Sequence, residues 1–184
     1  QSGYFMDIDF SGCQCLTSVD LGGHNDNSIL SINFDCTPLG NLEVIKYCRI
    51  LDRLSLKKCH SLVALSGLQG CAQLSTLHLD ECGHLSDVSK IGFCTGLISL
   101  SLDYCLAVTD ISWVEHCHNL EHLYLGHCIS VRDFSVLHNC KRLHSLCLNG
   151  CDKLKNISFL EGYEYITSLS LAGSSIQELS LIHI

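Results

Sequence analysis

The chain has 184 residues, 47% of them hydrophobic and 16% charged, and its 11 Lys and Arg against 19 Asp and Glu leave a net charge of −8. That apolar share excludes a disordered chain, and the acidic balance argues against nucleic acid as a partner, because a general binder needs a basic face. No apolar run approaches the about 18 residues that a membrane-spanning helix needs, so no membrane partner is expected.

In chain order, one pattern returns every 23 residues. The first unit opens at Phe5, with Ile8 and Phe10 at its fourth and sixth positions. The third places Leu51, Leu54 and Leu56 there, and the fourth Leu74, Leu77 and Leu79. The fifth, sixth and seventh follow with Leu97, Leu120 and Leu143, and the eighth begins at Ile166. Eight units, starting at positions 5, 28, 51, 74, 97, 120, 143 and 166, make residues 1–184 a single array. In L-x-L the side chains alternate, which predicts a short strand with one buried face. Beyond the strand, apolar residues come every third position, as in Leu85, Val88, Ile91 and Cys94. Strict threes suit 3₁₀ turns or extended coil better than an α-helix. Each unit is therefore a strand, a turn and a return segment. Stacking such units sets equivalent positions about 4.8 Å apart in a parallel sheet. The expected class is α/β, with a parallel sheet on one side and short 3₁₀ or extended segments on the other. Six or seven apolar positions per coil, each stabilising by roughly 1.5–3 kcal/mol when buried, hold it together.

The second unit breaks the frame. Taken strictly, it buries Ser28, Ser31 and Asn33 and exposes Leu30, Ile32 and Phe34 as an apolar patch. A one-residue insertion in "LGGHNDNS" would instead bury Ile29, Ile32 and Phe34, with a compensating deletion before Cys36. The insertion is preferred, because a one-residue slip turns every side chain to the other face.

Cysteine is the compositional outlier, with 14 residues. Cys13, Cys36, Cys59, Cys82, Cys105, Cys128 and Cys151 take the ninth position, and Cys48, Cys71, Cys94, Cys117 and Cys140 the twenty-first. Only Cys15 and Cys147 fall outside the two columns. Zinc needs four ligands converging on one point, whereas these residues run in two lines, so no metal or other cofactor is expected. Stacked neighbours lie within bridging distance, yet seven in a line cannot all pair. The expectation is a structural ladder of buried free thiols, each giving a weak hydrogen bond to a backbone carbonyl. Ser174 fills the ninth place of the last unit as a hydroxyl donor. So many free thiols imply a reducing, intracellular compartment.

L-x-x-L-x-L-x-x-C repeated in register resembles the leucine-rich repeat family over the whole chain. "LSDVSKI" (85–91), "VTDISWV" (108–114), "VRDFSVL" (131–137) and "LKNISFL" (154–160) resemble trypanosomatid leucine-rich repeats, with their recurring cysteine and D-φ-S pattern. They are also similar to the internalin-like repeats of bacteria, which carry Asn in place of the Cys. The cysteine-containing repeats of F-box ubiquitin-ligase receptors are a third resemblance, although those run longer and end in a fuller helix.

The family resemblance implies a leucine-rich repeat solenoid whose sheet forms a concave, ligand-binding face, with 3₁₀ or extended segments on the convex face. The expected partner-binding residues are His78, Asp80, Glu81, Asp103, Tyr104, His122, Tyr124 and His127, on the strands of the middle units. Rigid Tyr and His offer contact area at low entropic cost, and the acids lie beside Lys57 and Lys58. A solvated sheet is polar in any case, so polarity alone does not make a site. Trp113 is expected to pack at the convex surface, and Cys147 to be the one exposed, reactive thiol. No phosphate loop or catalytic constellation occurs, and a solenoid offers a curved face in place of a cleft. The reading is a non-enzymatic protein-interaction module, a scaffold or regulatory subunit in an intracellular complex, whether cytoplasmic, cytoskeletal or nuclear. Its alternatives are a structural part of a large assembly, a ubiquitin-ligase substrate receptor and an extracellular recognition protein. The apolar tail "LSLIHI" and the lack of polar caps suggest a piece of a longer solenoid.

Overall fold

A computed structural model describes residues 5–21 and 28–177. Among them lie eight strands: β1 (Met6–Asp9), β2 (Ile29–Asn33), β3 (Arg53–Ser55), β4 (Thr76–His78), β5 (Ser99–Ser101), β6 (His122–Tyr124), β7 (Ser145–Cys147) and β8 (Ser168–Ser170). They form one parallel sheet in chain order. Leu54, Leu77, Leu100, Leu123, Leu146 and Leu169 are paired strand to strand, so each coil repeats the last without slippage. The sheet is the one the 23-residue period predicts.

The return segments are 3₁₀ turns at Glu43–Tyr47, Leu68–Gly70, Ser89–Phe93, Ser112–His116, Ser135–Asn139 and Ser158–Leu160. The D-φ-S motif starts three of them, and Asn156-Ile157-Ser158 a fourth. Asp87 Oδ1 accepts the backbone N–H of Ser89 at 3.1 Å and its hydroxyl at 2.7 Å. Asp133 does the same for Ser135, at 2.9 and 2.6 Å. These bonds satisfy orphan donors of the turn and hold both carboxyls below the usual carboxylate range. The third coil carries Ala64 where the fourth carries Asp87 and the second Asn41, and its turn is the shorter Leu68–Gly70.

The leucine columns form one continuous core from Ile29 to Tyr163. Trp113, only 4% exposed, joins it from the return side, the packing role expected for it.

The ninth-position ladder holds from the third coil onward. The thiols of Cys59, Cys82, Cys105, Cys128 and Cys151 donate to Phe34, Leu56, Leu79, Leu102 and Leu125 carbonyls at 3.0–3.2 Å. Each acceptor is the sixth residue of the coil before, so every thiol spans one coil boundary. Burial pushes Cys82 and Cys151 up to about 12. In the other ladder, Cys71, Cys94 and Cys117 face the Ile45, Leu68 and Ile91 carbonyls at 3.5–3.8 Å. Tyr163 takes the same place in the seventh coil, and its hydroxyl donates to the Leu137 carbonyl.

Two members depart from the expected ladder: Cys13 and Cys36 are both exposed. No described coil precedes Cys13, so no sixth-residue carbonyl stacks against it. For Cys36 the reason is register. Ile29, Ile32 and Phe34 are buried, and Ile32 pairs with Leu54, so the inserted residue lies upstream, as preferred. The compensating deletion, however, falls after Thr37 and not before Cys36. Thr37 therefore takes the ninth place, buried, with its hydroxyl donating to the Phe34 carbonyl at 2.8 Å. Cys36 is moved to the eighth place, on the surface.

Candidate functional site

Each coil sends the residues at its third, fifth, seventh and eighth positions to the outer face of the sheet. The third, fifth and seventh follow from strand alternation. The eighth follows from backbone conformation. Lys58, Glu81, Tyr104 and His127, with Cys36 before them, have φ between 59° and 62°, in the left-handed region. Gly12, Gly150 and Gly173 fill the same position in the first, seventh and eighth coils, at φ 62–73°. This turn brings each backbone N–H onto the carbonyl of the next coil's seventh residue: Lys58 to Asp80 at 2.8 Å, Glu81 to Asp103 at 2.7 Å, Tyr104 to Gly126 at 2.7 Å. The eighth side chains thus project in one row along the sheet edge.

That row is paired coil to coil. Lys58 Nζ lies 3.4 Å from Glu81 Oε1. Tyr104 and His127 stack, with ring centroids 4.3 Å apart and planes 10° from parallel. The His127 ring lies over Gly150, where a Cβ would come within 2.5 Å of Nδ1. Tyr104 stays 49% exposed.

The seventh position supplies carboxylates that bind across coils. Asp35 Oδ1 accepts the Ser55 hydroxyl at 2.6 Å and the Lys57 backbone N–H at 2.8 Å. Asn149 repeats this with Ser170 and Ala172, at 2.7 and 2.8 Å. Asp80 Oδ1 accepts the hydroxyl of Ser101, and its Oδ2 lies 3.2 Å from Lys57 Nζ. Asp103 Oδ1 accepts the Gly126 N–H at 2.6 Å. Burial pushes the Asp103 carboxyl up, and nearby Asp80 adds to this, against the pull of the Gly126 N–H. His78 is pushed down, first by burial and then by the charge of Lys57.

A depression of about 370 Å³ lies at the middle of this face. Of the eight residues expected to bind a partner, it gathers six: His78, Asp80, Glu81, Asp103, Tyr104 and Tyr124. Lys57 and Ser101 complete the lining. His127 joins only through its stack on Tyr104. His122 stands apart, its ring 6.3 Å from that of His144, which in turn stacks on Tyr165 at 5.8 Å. Ser101, 6% exposed, is the small buried residue between His78 and Tyr124 in the fifth-position column. Sequence reasoning placed these residues on one face but missed Ser101 as part of the site and the left-handed eighth position. Gly12, Gly150 and Gly173, one column apart by whole periods, were the signal for the latter.

Asp80 and Asp103 are half-buried and already bonded within the sheet. One expectation changes here. Cys147 is half-buried with its thiol pushed up by that burial, so it is a slow nucleophile. The exposed thiols among the described residues are Cys13, Cys15 and Cys36. Among the described residues no three His, Cys, Asp or Glu converge to hold a metal ion, and no helix is long and apolar enough to cross a membrane.

Comparison with known proteins places this architecture. The family description "Leucine Rich repeats (2 copies)" matches residues 118–162. The solved structure of internalin C2 from Listeria monocytogenes is similar over 84% of this chain and 66% of its own, with 24% identity and a TM-score of 0.74. A leucine-rich repeat protein of Leptospira interrogans is similar over 84% of this chain and 46% of its own, with 19% identity and a TM-score of 0.59. A chain of the mouse RP105/MD-1 complex is similar over 92% of this chain and 30% of its own, with 18% identity and a TM-score of 0.68. This chain thus spans less than two thirds of the length of each. Comparison with curated proteins finds no match.

Proposed function

From a chain that folds as a leucine-rich repeat solenoid, a fold that serves as a protein–protein interaction module, we propose a non-enzymatic scaffold or regulatory subunit. Its concave face, over the third to sixth coils, docks a protein partner inside the cell. One observation carries the reading. Lys58, Glu81, Tyr104 and His127 hold left-handed conformations that glycine adopts freely and that cost other residues of the order of 1–3 kcal/mol each. The first, seventh and eighth coils avoid that cost with glycine. Side chains kept at such a cost, on the rim of a depression lined by Tyr and His, are best explained by what they contact. The RP105/MD-1 structure gives a precedent for a fold of this kind in a protein complex.

The intracellular part of the proposal rests on the thiols. Cys59, Cys82, Cys105, Cys128 and Cys151 form no disulfide, are buried, and donate to carbonyls in the preceding coil. Such an array suits a reducing compartment.

Differential capture tests the docking face. Tyr124→Ala and the return-side variant Phe93→Ala should fold alike, since both rings are at least partly exposed. A protein recovered by wild type and Phe93→Ala, and about tenfold less by Tyr124→Ala, is the expected result. Loss with Phe93→Ala alone would place recognition on the other side and overturn the reading. Thiol titration of protein isolated without reductant checks the compartment. All 14 cysteines should react after denaturation. A large shortfall would mean disulfides and a secreted protein.

A further inference from the structure

We infer that the depression at the middle of the sheet takes a cationic side chain, an arginine or lysine, presented by the docked protein. This rests on the docking face proposed above and adds the chemistry of its guest. Four observations converge. The first is charge. Of the carboxylates lining the depression, Asp80 has Lys57 at 3.2 Å, and Glu81 has Lys58 at 3.4 Å. Among the described residues no cation lies within ion-pair distance of Asp103, and His127 and Lys57 act on it only from further away. Asp103 Oδ1 is taken by the Gly126 N–H, and its charge sits half-buried beside that of Asp80. A half-buried carboxylate without a direct ion pair gains from a cation that reaches it.

The second observation is shape. Buried Ser101 separates His78 from Tyr124, which lie two strands apart and so about 9.6 Å apart along the sheet. That gap admits one extended side chain. The third is the aromatic setting. Tyr104 and Tyr124 line the same depression, and aromatic faces attract cations and pack on a guanidinium plane. Tyr104 is held in place by its stack on His127. The fourth is the whole molecule, whose net charge of −8 steers a basic partner toward it. An acidic guest meets the opposite field. Lys57, the lining cation, is already matched by Asp80.

The test uses blocked pentapeptides, acetyl-Gly-Gly-X-Gly-Gly-amide, with X as Arg, Lys, norleucine or Glu, titrated into the ¹⁵N-labelled 184-residue chain. Isolated guests of this size bind in the millimolar range. The Arg and Lys peptides should shift the amides of Ser101, Asp103 and Gly126, and the norleucine and Glu peptides should not. Asp103→Asn keeps an oxygen for the Gly126 N–H and so should fold. It should weaken the Arg peptide about tenfold. Shifts of equal size from norleucine would mean an apolar notch, and shifts from Glu an anion site at Lys57. Either of these, or silence from all four peptides at about ten times a millimolar constant, overturns the inference. A captured partner that depends on Tyr124 but is indifferent to Asp103→Asn would leave the docking face standing and remove only its cationic guest.

Discussion

The middle and the ends of this solenoid share one frame and treat its eighth position in opposite ways. In the second to sixth coils that left-handed position carries Cys36, Lys58, Glu81, Tyr104 and His127, and in the first, seventh and eighth it is Gly12, Gly150 and Gly173. The seventh position follows the trend less sharply. Asp80 and Asp103 sit in the middle, while Asn149 near the end makes the same cross-coil bonds without charge. The end coils show that glycine suffices at the eighth position, and Asn149 that a neutral acceptor suffices at the seventh. What the middle coils add beyond this is strain, charge and aromatic surface, in one patch.

The largest effect that tests this contrast lies beneath it. Leu100 is fully buried in the fifth coil, while Leu169, its counterpart in the eighth, is half-buried. Leu100→Ala should cost about 2–5 kcal/mol in chemical denaturation of the 184-residue chain, because the cavity cannot collapse between two stacked coils. Leu169→Ala should cost about half as much, in proportion to the smaller area it buries. Equal losses would show that middle and end are equally supported, and that the contrast is confined to the surface.

Exchanges at the eighth position come next. Gly150→Ala must hold φ +62° with a Cβ 2.5 Å from the His127 ring. Gly12→Ala meets the same backbone problem, at φ +73°, with nothing within 4 Å. The first should cost about 1–3 kcal/mol and displace His127 from Tyr104, visible in their ring proton shifts. The second should cost about 1–2 kcal/mol and leave that stack alone. Glu81→Gly runs the exchange the other way. Its exposed pair with Lys58 is worth little, and release of the left-handed strain outweighs the added unfolded-state entropy. It should gain up to about 1 kcal/mol, measured by thermal or chemical unfolding. A loss there would mean that the middle coils have adapted to their side chains, and the strain argument for function would fall.

How far the sequence discloses this depends on whether a feature repeats. The columns beginning at Leu51, Leu54 and Leu56 recur in six coils, and they fix strand, register and core together. The second coil is legible in part, since only Ile29, Ile32 and Phe34 restore an apolar face. The end of the slip was not, because Cys36 and Thr37 are both small hydrogen-bond donors, and the choice between them rests on which can reach the Phe34 carbonyl. The candidate site is legible as a list of outward residues. Which of them meet depends on pairings between coils, such as Tyr104 on His127 and Lys57 on Asp80, and on the handedness of one backbone turn. Those are properties of neighbours in the stack and not of any single repeat.

The smallest effect separates charge from architecture at the seventh position, and its sign is fixed by Asp103. The folded carboxyl lies above its ordinary 3.8, so the folded chain binds that proton more tightly than the unfolded chain does. Stability therefore falls as pH rises from 3.8 through the folded value, and the penalty is complete above it. Asp80, His127 and Lys57 are the charged groups that bear on it. Asp80 raises the carboxyl, and the two bases oppose it. Asp103→Asn keeps the acceptor for the Gly126 N–H and removes the charge, which is what Asn149 does two coils further on. The variant should be modestly more stable than wild type at pH 7, by an amount that solvent at this half-exposed site keeps small. The difference should shrink as pH falls through the raised carboxyl value and be gone below 3.8. Unfolding curves of the two proteins between pH 3 and 7 read this directly. A variant that is less stable by the same amount at every pH would mean that Asp103 serves the frame, like Asn149.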